Sequence, residues 1–167
     1  EPSSPLTLGL CAGAEYGPAK RYPLDRFAQA AREVTSKIPC HWLIFGTAAE
    51  KNMGDQLASL IGPSAENLAG QTSIEELATR LRQCRLLLTN DTGTMHFAQF
   101  LGTPVIAIFG STEPAATGPR SAASTVIRRH VECSPCFRRT CPIDFRCMLE
   151  IPADTVASTV LAKLASA

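Results

Sequence analysis

The sequence predicts an α/β protein: a Rossmann-like, mainly parallel sheet with helices on both faces. Three observations carry that reading. Short apolar runs alternate with segments of helical spacing along the whole chain, and no internal repeat interrupts them. A strand, loop, helix and second strand are nearly complete by Gly46. The same succession recurs between Leu86 and Gly110.

Length and composition bound the rest. At 167 residues, 45% hydrophobic and 19% charged, the chain suits one domain, since a domain of roughly 150 residues buries about 70% of its unfolded surface. A formal net charge of +1 excludes a global attraction to nucleic acid or membrane and leaves only local ones. No apolar run approaches the roughly 20 residues of a membrane-spanning helix, and no signal-peptide core opens the chain. The expectation is a cytoplasmic protein, with peripheral contact at a membrane surface left open. Residues 1–5, Glu-Pro-Ser-Ser-Pro, read as a linker remnant, so that 6–167 forms one ligand-binding domain excised from a longer protein.

Leu6–Cys11 reads as the first strand. The small-residue loop after it carries Lys20 and Arg21 just before a helix started by Pro23, a plausible phosphate-holding arrangement without P-loop spacing. Leu24, Phe27, Ala28, Ala31 and Val34 recur at helical spacing until Ile38-Pro39, and His41–Gly46 reads as a buried strand. Thr47 to Glu50 opens a second helix that Gly62-Pro63 ends. Asn67–Gly70 reads as an edge strand. Ser73 and Glu76 resemble a capping box opening a third helix through Leu77 and Leu81. Thr125–Ile127 reads as a last strand, and Pro152 with Asp154 starts a closing helix.

The stretch Leu86 to His96 is where a ligand is expected. A strand empties into Asn90-Asp91-Thr92-Gly93 and feeds a helix, so free backbone N–H groups and the positive end of a helix dipole face a crevice suited to phosphate. Glu50, in the loop after the second strand, is placed to meet ribose hydroxyls; a solvated first-turn glutamate is the alternative. The Gly/Pro/Ser loop after Phe109 ends a buried strand, a position that usually carries function.

Seven cysteines without an export signal suggest thiols or metal ligands rather than disulfides. Cys11, Cys40 and Cys84 sit in or beside apolar runs and read as small buried hydrophobes. Cys133, Cys136, Cys141 and Cys147 have the spacing Cys-x2-Cys-x4-Cys-x5-Cys, open to three readings: a zinc site, free thiols, or a disulfide formed on oxidation. The surrounding segment, Arg120 to Cys147, carries six arginines and two acids, +4 against −3 for the remainder. A basic Cys-rich loop at 130–150 suits a polyanion such as a phosphorylated glycolipid or nucleic acid; a solvated loop balanced by the rest of the chain is the alternative.

Three segments in register resemble one family. Ala12 to Pro23, Asn90 to His96 and Cys133 to Phe137 are similar to the ADP-heptose:lipopolysaccharide heptosyltransferases of glycosyltransferase family 9, of the heptosyltransferase II type. The resemblance implies one half of a GT-B glycosyltransferase, the C-terminal, donor-binding domain. It further implies inverting transfer of heptose from ADP-heptose to the lipopolysaccharide inner core, with no cofactor required. Lys20 then matches a lysine on the donor phosphates. Asp91, Thr92, Gly93 and His96 match a loop around the diphosphate and sugar, and Glu50 an acidic residue on the ribose. Tyr22 stands where a tryptophan is frequent.

On this reading Lys20 and the amides of Thr92 and Gly93 stabilise the charge gathering on departing ADP. His96 donates to phosphate, and Asp91 caps the helix or orients heptose hydroxyls. The general base belongs to the N-terminal domain of the same enzyme, so no catalytic residue is expected in this chain and the isolated chain is expected to be inactive. Two rival functions are a relative acting on another nucleotide sugar, as a UDP-sugar transferase or epimerase, and a metal-stapled nucleic-acid-binding module.

Overall fold

The apolar runs of the sequence pair into one six-stranded sheet in which every neighbouring pair is parallel. The computed structural model describes residues 5–166; apart from Pro5, the expected linker remnant lies outside the described residues. The strands are β1 (Leu6–Cys11), β2 (Cys40–Ile44), β3 (Ala65–Asn67), β4 (Leu87–Asn90), β5 (Val105–Phe109) and β6 (Thr125–Arg128), in the order β3-β2-β1-β4-β5-β6. The chain runs outward from β1 to one edge, then returns to lay β4 on its other side. The loops leaving the carboxyl ends of β1 and β4 therefore part, and a crevice opens between them.

Side chains alternate across each strand, so the sheet buries two cores. Leu8 and Leu10 of β1, Trp42 and Ile44 of β2, Leu88 of β4 and Ile106 and Ile108 of β5 point to one face. There they meet α1 (Leu24–Lys37), α2 (Lys51–Ile61) and the closing helix α7 (Ala153–Ala165). Cys11, Leu43, Leu87, Val105 and Ala107 point to the other, against Leu81 of α3 (Ile74–Gln83) and Met95 and Ala98 of α4 (Gly93–Phe100). Two short helices complete the chain, α5 (Pro114–Thr117) and α6 (Arg146–Leu149).

Local chemistry sets the ends of these elements. Ser73 accepts from the Glu76 N–H while Glu76 accepts from the Ser73 N–H, as the spacing predicts. The edge strand, expected at Asn67–Gly70, pairs two residues earlier, with Trp42 opposite Ala65 and Ile44 opposite Asn67. Ala65-Glu66-Asn67 has no apolar pattern because an edge strand is paired on one side only, so hydropathy alone points past it. The second helix begins with a 3-10 turn, Ala48–Glu50, before α2 proper.

Tyr22 fastens the start of α1 to the end of the chain. Its phenol donates to the carbonyl of Ile151 at 2.8 Å, and its ring meets Phe27 edge-on, with centroids 5.0 Å apart. Arg26 donates to the same carbonyl at 2.9 Å. Burial pushes the Tyr22 phenol up to about 12, against the opposing pull of Arg26. A phenol that ionises later in the folded than in the unfolded chain stabilises fully below pH 10 and loses that contribution as pH climbs toward 12. Urea midpoints of the wild type should therefore fall more steeply across this window than those of Tyr22→Phe, which at neutral pH should cost only about 1 kcal/mol.

Candidate functional site

At the carboxyl end of β4 the chain buries two polar residues in succession, and each ties loops together. Asn90 is fully buried. Its amide nitrogen donates to the Ala12 carbonyl at 2.7 Å, and its amide oxygen accepts from the Tyr22 N–H at 3.0 Å. The loop after β1 is thus pinned at both ends by one side chain of the neighbouring strand. A buried amide of this kind satisfies backbone groups that a loop cannot pair by itself.

Asp91 follows. Its Oδ2 accepts from Lys20 Nζ at 2.9 Å, Thr112 Oγ1 at 2.8 Å and Thr117 Oγ1 at 3.1 Å. Asp91 is 5% exposed and the Lys20 side chain 14%, so the pair sits where water screens it little. Its other oxygen, Oδ1, takes part in none of these bonds. The loop after Phe109 thereby shows its use: Thr112 and Thr117 hold the carboxylate that holds the lysine. Asp91 does not cap α4, contrary to one of the two roles weighed for it. Thr92 does, its hydroxyl accepting from the Met95 N–H at 3.4 Å, because the Asp91 side chain is turned away to meet Lys20.

Beside this pair lies the crevice, a cavity of about 180 Å³ whose walls include Gly13, Gly46, Glu50, Leu77, Thr92 and Gly93. Gly93, the first residue of α4, is exposed, and nothing approaches within 4 Å of the place a Cβ would occupy. The amides opening α4 are therefore reachable from outside. Across the crevice Glu50 accepts from the Thr47 N–H at 2.9 Å through one carboxylate oxygen. A Cβ on Gly13 would lie 2.0 Å from its Oε1, so only glycine allows this close approach. The first-turn role and a place on the crevice wall are thus compatible for Glu50. Cys11 lies on the floor, its thiol pushed up first by burial and then by the charge of Glu50.

The expected site residues form two groups. Glu50, Thr92 and Gly93 share the crevice, while Lys20 and Asp91 bond to each other directly. His96 stands exposed on α4, outside that cavity. Sequence reading gave no role to Asn90, Thr112 or Thr117, whose bonds across the loops span at least 21 residues. It likewise missed Tyr16, whose ring receives Lys20 Nζ at 4.8 Å and the Arg139 guanidinium at 5.2 Å.

In the Cys-rich segment, three arginines meet acids: Arg128 with Glu113, Arg129 with Glu150 and Arg146 with Asp144. The Glu113 carboxyl is held below its ordinary range by the Ala115 N–H and, after it, by Arg128. Half of the segment's arginines are thus neutralised locally, leaving Arg120, Arg138 and Arg139 outside those pairs. All seven cysteines are free thiols.

Comparison with known proteins places the geometry in context. Residues 3–145 match the family described as glycosyltransferase family 9 (heptosyltransferase). The chain is 34% identical over 125 residues to lipopolysaccharide heptosyltransferase 2 of Salmonella typhimurium, covering 72% of this chain and 36% of that protein. It is 35% identical over 125 residues to lipooligosaccharide heptosyltransferase 2 of Haemophilus influenzae, with the same coverage. Its structure superposes on E. coli ADP-heptose lps heptosyltransferase II with a TM-score of 0.85 at 28% identity, covering 98% of this chain and 48% of that one. The chain therefore spans from about a third to half the length of these relatives.

The pinning role of Asn90 is open to measurement. Asn90→Ala leaves the Ala12 carbonyl and the Tyr22 N–H without their partner, and urea unfolding should show a loss of about 2–3 kcal/mol.

Proposed function

Because the chain belongs to glycosyltransferase family 9, we propose that it is the donor-binding half of an inverting, GT-B heptosyltransferase that moves heptose from ADP-heptose to the inner core of lipopolysaccharide. The observation that carries this reading is the Lys20–Asp91 pair, clamped by Thr112 and Thr117 beside the open amino end of α4. A nucleoside diphosphate lying across that end meets the amides of Thr92 and Gly93, the helix dipole and one fixed cation. Glu50 retains an oxygen for ribose hydroxyls on the opposite wall, since the Thr47 N–H occupies only Oε2. His96 reaches toward phosphate from the exposed side of the first turn of α4.

The chemistry follows from charge. As the bond from the anomeric carbon to the diphosphate breaks, negative charge builds on ADP, and Lys20 with the two amides offsets it without reorganising. Asp91 keeps Lys20 aimed at the place where this charge appears. Its uncommitted Oδ1 accepts a sugar hydroxyl. Deprotonation of the acceptor falls to a base in an N-terminal domain of the same enzyme, so this chain alone binds donor and turns over none. No cofactor enters the scheme. Among the described residues no helix is long and apolar enough to cross a membrane; the enzyme would work at the cytoplasmic face of the inner membrane, where its glycolipid acceptor is presented.

Calorimetric titration of ADP-heptose, ADP and UDP tests the assignment. ADP and ADP-heptose should bind, with UDP at least about tenfold weaker. Lys20→Ala should cost about 1.5–3 kcal/mol, the worth of a hydrogen bond to a charged group, or roughly 10- to 100-fold in Kd. Equal affinity for UDP, or undiminished ADP binding by both Lys20→Ala and Asp91→Ala, would overturn it.

A further inference from the structure

Outside the donor crevice, the Cys-rich segment encloses a cavity of about 280 Å³. Cys133, Cys136, Cys141 and Cys147 all line it, although the segment from Arg129 to Phe145 that supplies three of them contains neither helix nor strand. Ser111, at the end of β5, lines it too. Ser111 is 2% exposed, and its hydroxyl has no hydrogen-bond partner. Ser134, Arg138 and Arg146 complete the polar lining.

These features share one explanation. We propose that the four cysteines are the ligands of a single thiophilic divalent cation, zinc or ferrous iron, and that Ser111 donates a hydrogen bond to one of the bound sulfurs. Four cysteines spaced Cys-x2-Cys-x4-Cys-x5-Cys can close a tetrahedral all-sulfur site. On binding, four thiols lose four protons and the ion takes four thiolates, leaving a net charge of −2 beside Arg138, whose guanidinium lies outside the local ion pairs. A neutral thiol is a weak acceptor, whereas a thiolate is a strong one, so ionisation gives the buried Ser111 hydroxyl the partner it lacks. Disulfides among the same cysteines would leave Ser111 unpartnered and Arg138 without an anionic neighbour in the cavity, whereas Arg146 already pairs with Asp144.

In this conformation no three His, Cys, Asp or Glu side chains among the described residues converge closely enough to hold an ion. The thiols surround a common space, and closing on an ion requires rotation about short side chains and adjustment of a segment that no ladder or helix restrains. Its backbone attachments lie at the rim: the Cys136 and Phe137 N–H groups on the Ser111 carbonyl, at 3.1 and 2.8 Å, and the Ala19 N–H on the Arg139 carbonyl, at 3.0 Å. The last of these attaches the segment next to Lys20. The ion would thus stiffen one flank of the donor crevice without touching the donor, and the proposal stands apart from the identity of that donor.

The test uses the reduced protein titrated anaerobically with Co²⁺. One equivalent should produce the visible d–d bands and near-ultraviolet sulfur-to-cobalt charge transfer of a tetrahedral thiolate site, and one equivalent of Zn²⁺ should abolish them. Cys133→Ser and Cys141→Ser change half-exposed positions outside the packed core; each should reduce the charge-transfer intensity and weaken binding more than tenfold. Ser111→Ala should keep the spectrum while weakening cobalt roughly 10- to 100-fold, as loss of a hydrogen bond to a metal ligand does. Absence of the charge-transfer band, or cobalt binding unchanged in both cysteine variants, would overturn the proposal.

Discussion

One carboxylate oxygen organises the upper face of this domain. Asp91 Oδ2 accepts from a lysine on the loop after β1 and from two threonines on the loop after β5. Three loops leaving adjacent strands are thereby joined at one atom. Within a buried pair, removing one charge strands the other, at a cost of about 3–5 kcal/mol, so the arrangement is held as a unit. The neighbouring Asn90 repeats the device with neutral groups, tying the loop after β1 to β4. Strand order makes both residues effective, because β4 lies directly beside β1, at the point where the order of connection reverses.

That unit leaves the amino end of α4 free. Thr92 caps the helix with its own side chain, so Asp91 is available for Lys20, and Gly93 leaves the helix terminus open. In a member of glycosyltransferase family 9, this division suits the proposed handling of a diphosphate leaving group: amides and a dipole that need no movement, with a cation whose position is set from behind. Glu50 adds the opposite wall while it also serves the first turn before α2.

The Cys-rich segment connects to the same framework. Its attachment points are the carbonyl of Ser111, one residue before Thr112, and the N–H of Ala19, one residue before Lys20. The two loops that meet at Asp91 are thus also the two that anchor the segment. Tyr16, between Lys20 and Arg139, donates to the Phe137 carbonyl at 2.6 Å and closes the circuit. Order in the segment and order at the crevice are mechanically linked.

By itself the sequence determined the parallel α/β architecture and the family, and it pointed to the stretch from Asn90 to His96 as the candidate ligand loop. It could do so because buried strands, helix stripes, capping boxes and a strand-to-helix loop are written in neighbouring residues, whose spacing reflects local backbone geometry. Tertiary structure alone decided that Asp91 pairs with Lys20 rather than capping α4, that Thr112 and Thr117 hold that carboxylate, and that four cysteines share a cavity with an unpartnered serine. The partners in these cases lie between 21 and 71 residues apart for Asp91, distances over which periodicity carries no information. The physical reason is that a buried charge takes whichever donors the strand order brings within 3 Å or so of it, and strand order is a property of the folded sheet.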